Sequence, residues 1–583
     1  DITKQMLRHR QMVLDQMDFK QKAEEKKMSM SKNIARLAVT AGLTAALSFG
    51  GVMAPVTMAF ADEGDNTITI TQNANNGNTK FKAYQIFKAG VVDEDGQKIV
   101  SNVDWASGQA KTAVLGVLTA ESVPGINSES TPQEVADYLS TITYSTVVKK
   151  DDLLNKIALA VEKNVPADGD AFAAGRAFEP KNADNTPNTG YYLFLTDDTG
   201  IGQLTENKKN TGTSPIFAVV GGHPVVVAEK TSIPTVNKEV REGTTWGKAS
   251  DSYIGEEVEY KLTGSVASNI DTFTKYEYSF QDHLSVGLEA IKDSVKVTIN
   301  DKVIQPADGY TVGLDETKDA SGNLTGGHDL TISFSDLKAA ATAAGVTLTG
   351  DSKVVVTYKA KLTDKAEYKG TGNTNEVKLV YSNNPMTEDT GTSESDKVAD
   401  YVFGLDVTKT ASDDSQKKLV AGFKVKMTKE GTTPVTGDKW LTETGGFTSD
   451  SGKAGVFRTK ETDSKVFIPG LVAGEYEITE CETPAGYNSI SFTITVTPTY
   501  NETTGELTGL NVTPSSDMVT SELDGNVTST RIPITIENKK GSGLPLTGLN
   551  GVTFTWIAGG AVLCIGVAHL IRSRKQAEES EQE

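Results

Sequence analysis

Short runs in which apolar and polar residues alternate recur along most of the chain. Thr67-Ile68-Thr69-Ile70 and Phe81-Lys82-Ala83-Tyr84-Gln85-Ile86-Phe87 open the series. Such runs predict strands, because successive strand side chains face opposite ways. The period then changes. Thr131-Pro132-Gln133-Glu134 has the form of a capping box with proline in the first turn, and Asp152 to Lys163 repeats Leu153, Ile157 and Val161 at helical spacing. Apolar strand runs return at Tyr191 to Leu195, Ile216 to Val220 and Pro224 to Ala228. Residues 62–229 therefore read as one mainly β unit with helical insertions.

A second unit is expected over 230–397. Strands are predicted at Val236 to Val240, Glu257 to Leu262, Tyr276 to Leu284 and Val354 to Leu362, with a short helix capped near Ser335 and ended by Gly345. Residues 398–540 are almost wholly strand and turn, a third unit. The fold class expected is mainly β, with tandem immunoglobulin-like β-sandwich domains. A length of 583 residues exceeds what one core supports, in keeping with several domains. The abundance of Thr, Val, Gly, Asn and Asp, with 37% hydrophobic residues, suits sandwiches with polar turns.

Two segments break this pattern. Lys32 and Arg36 precede an apolar, small-residue run from Leu37 to Val52, and Ala59-Phe60-Ala61 has the small-x-small form of a signal peptidase site. A secretory signal is expected within 1–61, cut after Ala61. The polar residues 1–27 should carry no fold, with Met28 or Met30 as the start of translation. At the other end, Gly541-Ser542-Gly543 is a flexible linker into Leu544-Pro545-Leu546-Thr547-Gly548, within 541–551. An apolar run of bilayer length, 552–571, follows as a transmembrane segment, and 572–583 forms a tail with Arg572, Arg574 and Lys575 on the cytoplasmic side. An LPxTG motif directly before a span and a basic tail resembles a sortase sorting signal. The resemblance implies cleavage between Thr547 and Gly548, with Thr547 held as a thioester on the transpeptidase.

The net charge of −20 argues against a phosphate-binding face, and no nucleic acid is expected as a partner. Only two cysteines are present, Cys481 and Cys564, the second in the apolar tail segment, so a disulfide framework is excluded in a chain addressed to the outside. Some other device must stabilise it there.

One stretch suggests which. Tyr476-Glu477-Ile478-Thr479-Glu480-Cys481-Glu482-Thr483-Pro484-Ala485-Gly486-Tyr487 resembles the E-box of CnaB-type domains in surface proteins and pilins, with Cys481 for the usual Thr and Thr483 for an Ala. The resemblance implies an isopeptide bond between a Lys on the first strand and an Asn on the last, assisted by the E-box Glu. Strand parity supplies an independent check. Leu405, Val407 and Lys409 share a face, as do Tyr476, Ile478 and Glu480, and Ile532, Ile534, Ile536 and Asn538. Each polar residue is in register with apolar neighbours and should face the core, where three polar groups without a purpose would be costly. Burial favours a neutral amine and a protonated acid. Glu480 can then polarise the Asn538 carbonyl while Lys409 attacks, ammonia is lost, and a cross-link forms across the sandwich.

The second unit repeats this logic with an aspartate, in the CnaA/CnaB-type manner. Val236, Lys238 and Val240 share a face, and Tyr276, Tyr278, Phe280, Asp282 and Leu284 share another. In the last strand Asn375, Val377, Leu379, Tyr381 and Asn383 have one parity, so parity leaves Asn375 and Asn383 open. Lys238 sits early in its strand, and if first and last strands run parallel this favours the early Asn375. The resemblance to the second domain of backbone pilins points the same way. The first unit shows no comparable asparagine, and no bond is expected there.

A fibre-forming nucleophile must instead be exposed and near a domain boundary. Pilin motifs end in a Val-x-Val-x-x-Lys strand, usually with Tyr-Pro before the Lys. Val225-Val226-Val227-Ala228-Glu229-Lys230 resembles this in part, with Ala228-Glu229 in place of Tyr-Pro, and parity turns Lys230 outward. The resemblance to sortase-assembled Gram-positive major pilins implies a wall-anchored pilus subunit polymerised from Thr547 to Lys230. Its expected partners are a class C sortase, a housekeeping sortase, identical subunits, minor pilins and peptidoglycan. The alternative is a wall-anchored adhesin or a minor tip or base pilin. His223, His283 and His328 are far apart with no metal spacing, and no nucleophile elbow or phosphate loop is found, so no metal, no cofactor and no turnover enzyme are expected.

Overall fold

The computed structural model describes residues 66–544, save 74–75, 95–96, 144–146, 202–209 and 524–526. The expected signal region, the apolar segment 552–571 and the basic residues after it lie outside the described residues. Among the described residues, no helix is long and apolar enough to cross a membrane.

The chain is mainly β, and its sheets face each other in pairs across apolar cores. In the first pair, a three-stranded sheet ordered Ala177–Phe178, Ile68–Thr71, Val225–Ala228 faces a five-stranded one. The latter runs Gln97–Trp105, Lys80–Glu94, Gly190–Thr196, Ile216–Val220, with Phe172–Ala173 also pairing Lys80–Glu94. The larger sheet is covered on its other face by the helices Gly108–Ala120, Pro132–Leu139 and Leu153–Asn164. This explains the sequences of its inner strands. Gly190–Thr196 and Ile216–Val220 are buried at every position, and their unbroken apolar runs suit strands packed on both faces.

The expected capping box is present. Thr131 Oγ1 accepts from Glu134 N at 3.2 Å, and Glu134 Oε2 accepts from Thr131 N at 2.7 Å. The helix Gly108–Ala120 was not anticipated. Ser107 caps it, accepting from Ala110 N at 3.0 Å, but it opens on a glycine, carries Gly116 inside and has no acidic residue in its first turn, so its local signal is weak and packing contributes much of its stability.

The second sandwich joins a six-stranded sheet, containing Val236–Glu242, Glu257–Ser265 and Lys353–Leu362, to a seven-stranded sheet containing Tyr278–Leu284, Asn373–Ser382 and Asp396–Tyr401. Its short helix, Leu337–Ala343, is capped by Asp336, one residue beyond the expected Ser335, and the chain leaves it at Gly345 with φ +67°. The third sandwich joins a four-stranded sheet, ordered Lys465–Leu471, Phe403–Ala411, Arg531–Asn538, Val519–Ser521, to an eight-stranded sheet holding Gly474–Glu482. Asp396–Tyr401 pairs within the second sandwich, antiparallel to Asn373–Val377, so that sandwich extends a few residues past 397. The two sandwiches are in contact. Ala473 N donates to Asp251 Oδ1 at 2.7 Å, and Tyr401 donates its hydroxyl to Gly505 O at 3.0 Å.

Candidate functional site

In the third sandwich, Phe403–Ala411 and Arg531–Asn538 are parallel neighbours, with Lys409 opposite Ile536 and Ala411 opposite Asn538. Period-2 alternation turns Lys409 and Asn538 inward, where each is 1% exposed. Glu480 arrives from Gly474–Glu482 on the facing sheet and is buried as well. Asn538 Nδ2 donates to both Glu480 oxygens at 2.9 Å, while Ile490 N donates to Glu480 Oε2 at 3.2 Å. The Lys409 amine donates to Ile536 O at 2.9 Å. Burial brings the Lys409 amine down to about 8, against the upward pull of the Glu480 and Glu537 charges. Burial also raises the Glu480 carboxyl, while the Asn538 bond and the Lys409 charge oppose the shift. Lys409 and Asn538 lie in one sheet, and only the carboxyl reaches across. A bond between them would tie adjacent strands rather than span the sandwich as expected.

The second sandwich divides its groups differently. Lys238, on Val236–Glu242, belongs to the six-stranded sheet; Asp282 and Asn375 belong to the opposite one. The first and last strands are therefore not hydrogen-bonded neighbours here, contrary to the parallel arrangement assumed from sequence. The intervening strands Ala249–Asp251 and Asp396–Tyr401 complete the second sheet's edge instead. Lys238 Nζ donates to Asp282 Oδ1 at 2.5 Å and Oδ2 at 2.7 Å. Its amine also lies 5.4 Å from the centroids of both the Tyr260 and Tyr358 rings, which stack on each other. The Tyr358 hydroxyl donates to Asp282 Oδ2 at 2.5 Å and accepts from Asn375 Nδ2 at 2.7 Å. All four groups are at most 1% exposed. Burial lowers the Lys238 amine although Asp282 favours its charge.

Asn383 lies elsewhere. Its Nδ2 donates to Asn210 O at 3.2 Å, and its own carbonyl accepts from Gly212 N at 2.5 Å, so it joins the second sandwich to the first. Asn375 is thus the one of the two that meets the Lys238 cluster. Sequence reasoning missed both tyrosines, although a signal existed: each occupies the buried parity of an otherwise aliphatic strand.

Both clusters share one further feature. Asn375 Oδ1 and Asn538 Oδ1 are buried without a hydrogen-bond partner among the described residues. An unpaired amide oxygen in a dry core is costly, and it is the atom that polarisation by an acid would engage. A lone-pair amine beside an activated amide can undergo transamidation with loss of ammonia.

Lys230 departs from expectation. Val225 and Val227 face inward and Val226 and Ala228 outward, but Lys230, just past the strand end, is half-buried rather than exposed. The segment before Ile216 covers it: its N donates to Thr213 Oγ1 at 2.7 Å, and its carbonyl accepts from Ser214 N at 3.0 Å. Burial lowers its amine, which has no hydrogen-bond or ion-pair partner among the described residues. The adjacent Glu229 is buried, accepting on Oε1 from Asn73 N at 2.5 Å and Asn76 Nδ2 at 2.9 Å, while Oε2 has no partner among the described residues. Burial raises this carboxyl to about 7.

Of the sorting motif only Leu544 is described, 79% exposed; Pro545, Leu546, Thr547 and Gly548 lie outside the described residues. Cys481 is a free thiol. Among the described residues, no three His, Cys, Asp or Glu side chains gather as a metal centre.

The solved structures this chain resembles are major and backbone pilins. The T6 backbone pilin of serotype M6 Streptococcus pyogenes is 16% identical with a TM-score of 0.47, covering 83% of this chain and 100% of that one. The major pilin SpaD from Corynebacterium diphtheriae is 17% identical with a TM-score of 0.40, covering 83% and 98%. BcpA, the major pilin subunit of Bacillus cereus, is 13% identical with a TM-score of 0.34, covering 82% and 99%. No family model matches the chain, and no curated protein matches it.

Proposed function

We propose that this chain is a structural backbone subunit of a covalent, wall-anchored pilus. A sortase joins Thr547 of one copy to Lys230 of the next, and the sandwiches are reinforced by Lys409–Asn538 and Lys238–Asn375 isopeptide bonds. The observation that carries the reading is the pair of buried lysine, carboxyl and asparagine clusters, one in each of two successive sandwiches. Buried ionisable groups destabilise a domain unless they are paired or put to use. Here the lysine and asparagine of each lie on strands near the beginning and end of the sandwich, where a covalent tie is most useful in a chain with only two cysteines. Each bond forms once, so the chain is a substrate of assembly rather than a turnover enzyme.

In this reading the half-buried Lys230 is an acceptor whose amine is made neutral more readily by desolvation and is uncovered by the sortase complex. Its partial burial is also the observation that keeps the second reading, an anchored adhesin or minor pilin that does not polymerise. Boiled, muramidase-released wall extracts of the native host, run on denaturing gels, separate the two. A high-mass ladder that collapses in Lys230→Ala is expected. A ladder in both strains would move the acceptor to another lysine, and wall-bound monomer in both would favour the adhesin.

A further inference from the structure

The two clusters place their carboxyl groups on opposite partners. Glu480 receives both of its 2.9 Å bonds from the asparagine amide, so an acid there is already against the leaving nitrogen. Asp282 instead chelates the lysine amine at 2.5 and 2.7 Å, and the asparagine amide meets the Tyr358 oxygen at 2.7 Å. Aspartate is one methylene shorter than glutamate, and the gap it leaves toward Asn375 is filled by the phenol.

We propose that the Tyr358 hydroxyl is the proton relay of the second cluster, carrying the proton that Asp282 takes from Lys238 onto the departing amide nitrogen of Asn375. The proposal rests on the reading above that Lys238 and Asn375 become joined. Three observations support it. The hydroxyl donates to Asp282 Oδ2 at 2.5 Å and accepts from Asn375 Nδ2 at 2.7 Å and Lys238 Nζ at 3.2 Å, so its one proton and two lone pairs are all engaged with the reacting groups. Every member of the cluster is at most 1% exposed, which leaves water a poor carrier. The third cluster, where the carboxyl touches the amide directly, has no tyrosine bonded to Lys409, Glu480 or Asn538 among the described residues.

The step balances without any further reagent. Lys238 passes a proton to Asp282, leaving a neutral amine and a carboxylic acid. The Nζ lone pair attacks Asn375 Cγ, and the carbonyl pair moves onto Oδ1. The amide nitrogen, now tetrahedral and basic, takes the Tyr358 proton as Tyr358 takes the one held by Asp282. The Cγ–Nδ2 bond breaks, ammonia leaves with the electron pair, and the carbonyl re-forms. Nζ then returns its surplus proton to Asp282, which ends protonated. Because the hydroxyl gives and receives in one motion, it need not ionise. That matters here, since burial and then the Asp282 charge both push its pKa upward.

The test is peptide mapping by mass of the full chain at successive times after synthesis. In the wild type, the Lys238–Asn375 and Lys409–Asn538 linked peptides are both expected, each one ammonia lighter than its separate parts. In Tyr358→Phe, the Lys238–Asn375 peptide should form at least about tenfold more slowly, a normal scale for losing general acid help. The Lys409–Asn538 peptide should keep its wild-type course. Tyr278→Phe removes another buried, bonded hydroxyl from the same core, the one donating to Ser265 O at 2.8 Å, and should link normally. A wild-type course in Tyr358→Phe overturns the relay, as does equal slowing in Tyr278→Phe, which would mark a packing effect. Absence of the Lys238–Asn375 peptide from the wild type would instead overturn the cross-link itself.

Discussion

Replacing Glu480 by Gln removes the acid from the third cluster while keeping its size and its place against Asn538. Without a proton to share, the Lys409–Asn538 bond should not form, and the domain should keep its fold through its apolar core. The cross-link would close a loop of roughly 130 residues, and the chain-entropy relation developed for disulfides assigns such a loop about 5 kcal/mol. Unfolding entropy scales with size, so for a sandwich of this length the loss corresponds to a fall of about 15 °C in the melting temperature of the third unit. Intact mass and differential scanning calorimetry on the same samples give both readings: one ammonia retained, and one transition displaced while the others stay. A variant that still loses both ammonia molecules would refute the role given to the carboxyl. An unlinked variant that melts with the wild type would refute the claim that the bond stabilises the domain.

Two further outcomes follow. Glu229 is raised by burial to about 7 from an ordinary value of 4.5, so the folded first unit holds a proton that the unfolded chain releases; its contribution is favourable below about 4.5 and is lost as the pH rises through 7. Glu229→Gln should therefore melt higher than the wild type at pH 8 and close to it at pH 4.5, and thermal scans at the two values check this. In single-molecule pulling, a linked third unit should release no length between Lys409 and Asn538, whereas Glu480→Gln should add an extension of roughly 45 nm at about 3.5 Å per residue; the same contour in both would contradict the cross-link.

Much of this arrangement was legible in sequence because strands enforce a two-residue period. Once Leu405 and Val407 are core residues, Lys409 has to face the core as well, and the same constraint turns Asp282, Glu480 and Asn538 inward. What parity does not carry is which sheet a strand joins. It grouped Lys238 and Asn375 correctly by face, yet the two lie on opposite sheets, and Tyr358 becomes a partner only because Lys353–Leu362 sits two strands from Lys238 in its own sheet. Lys230 shows the same limit. Its parity is outward, but the chain before Ile216 folds over it, a long-range contact that no local pattern encodes. The helix Gly108–Ala120 is hard to read for a different reason: Ser107 caps it, but Gly108 and Gly116 and the lack of an acidic first turn blur the helical pattern, and packing on the sheet supplies the rest.

With both proposed bonds in place, the covalent path through the molecule explains where the remaining hydrogen bonds matter. Tension entering at Lys230 would reach Lys238, cross to Asn375, and bypass the bulk of the second sandwich. From Asn375 to Lys409 the chain has no such shortcut. That stretch is held by the antiparallel pairing of Asp396–Tyr401 with Asn373–Val377 and by Asp396 itself, whose Oδ2 accepts from Lys238 N and from Lys248 Nζ, both at 2.6 Å. Tyr401 then anchors the same strand to the third sandwich, donating to Gly505 O and accepting from Leu507 N at 3.0 Å each. Beyond it, Phe403–Ala411 and Arg531–Asn538 are parallel, so a pull on the start of one and the end of the other loads their ladder in shear, with all its bonds strained together. A bond at Lys409 sits at the far end of that ladder and takes the load once the ladder slips. The two covalent ties and the noncovalent strand between them thus act in series, and the strand Asp396–Tyr401 is the element on which the extensibility of the pair depends.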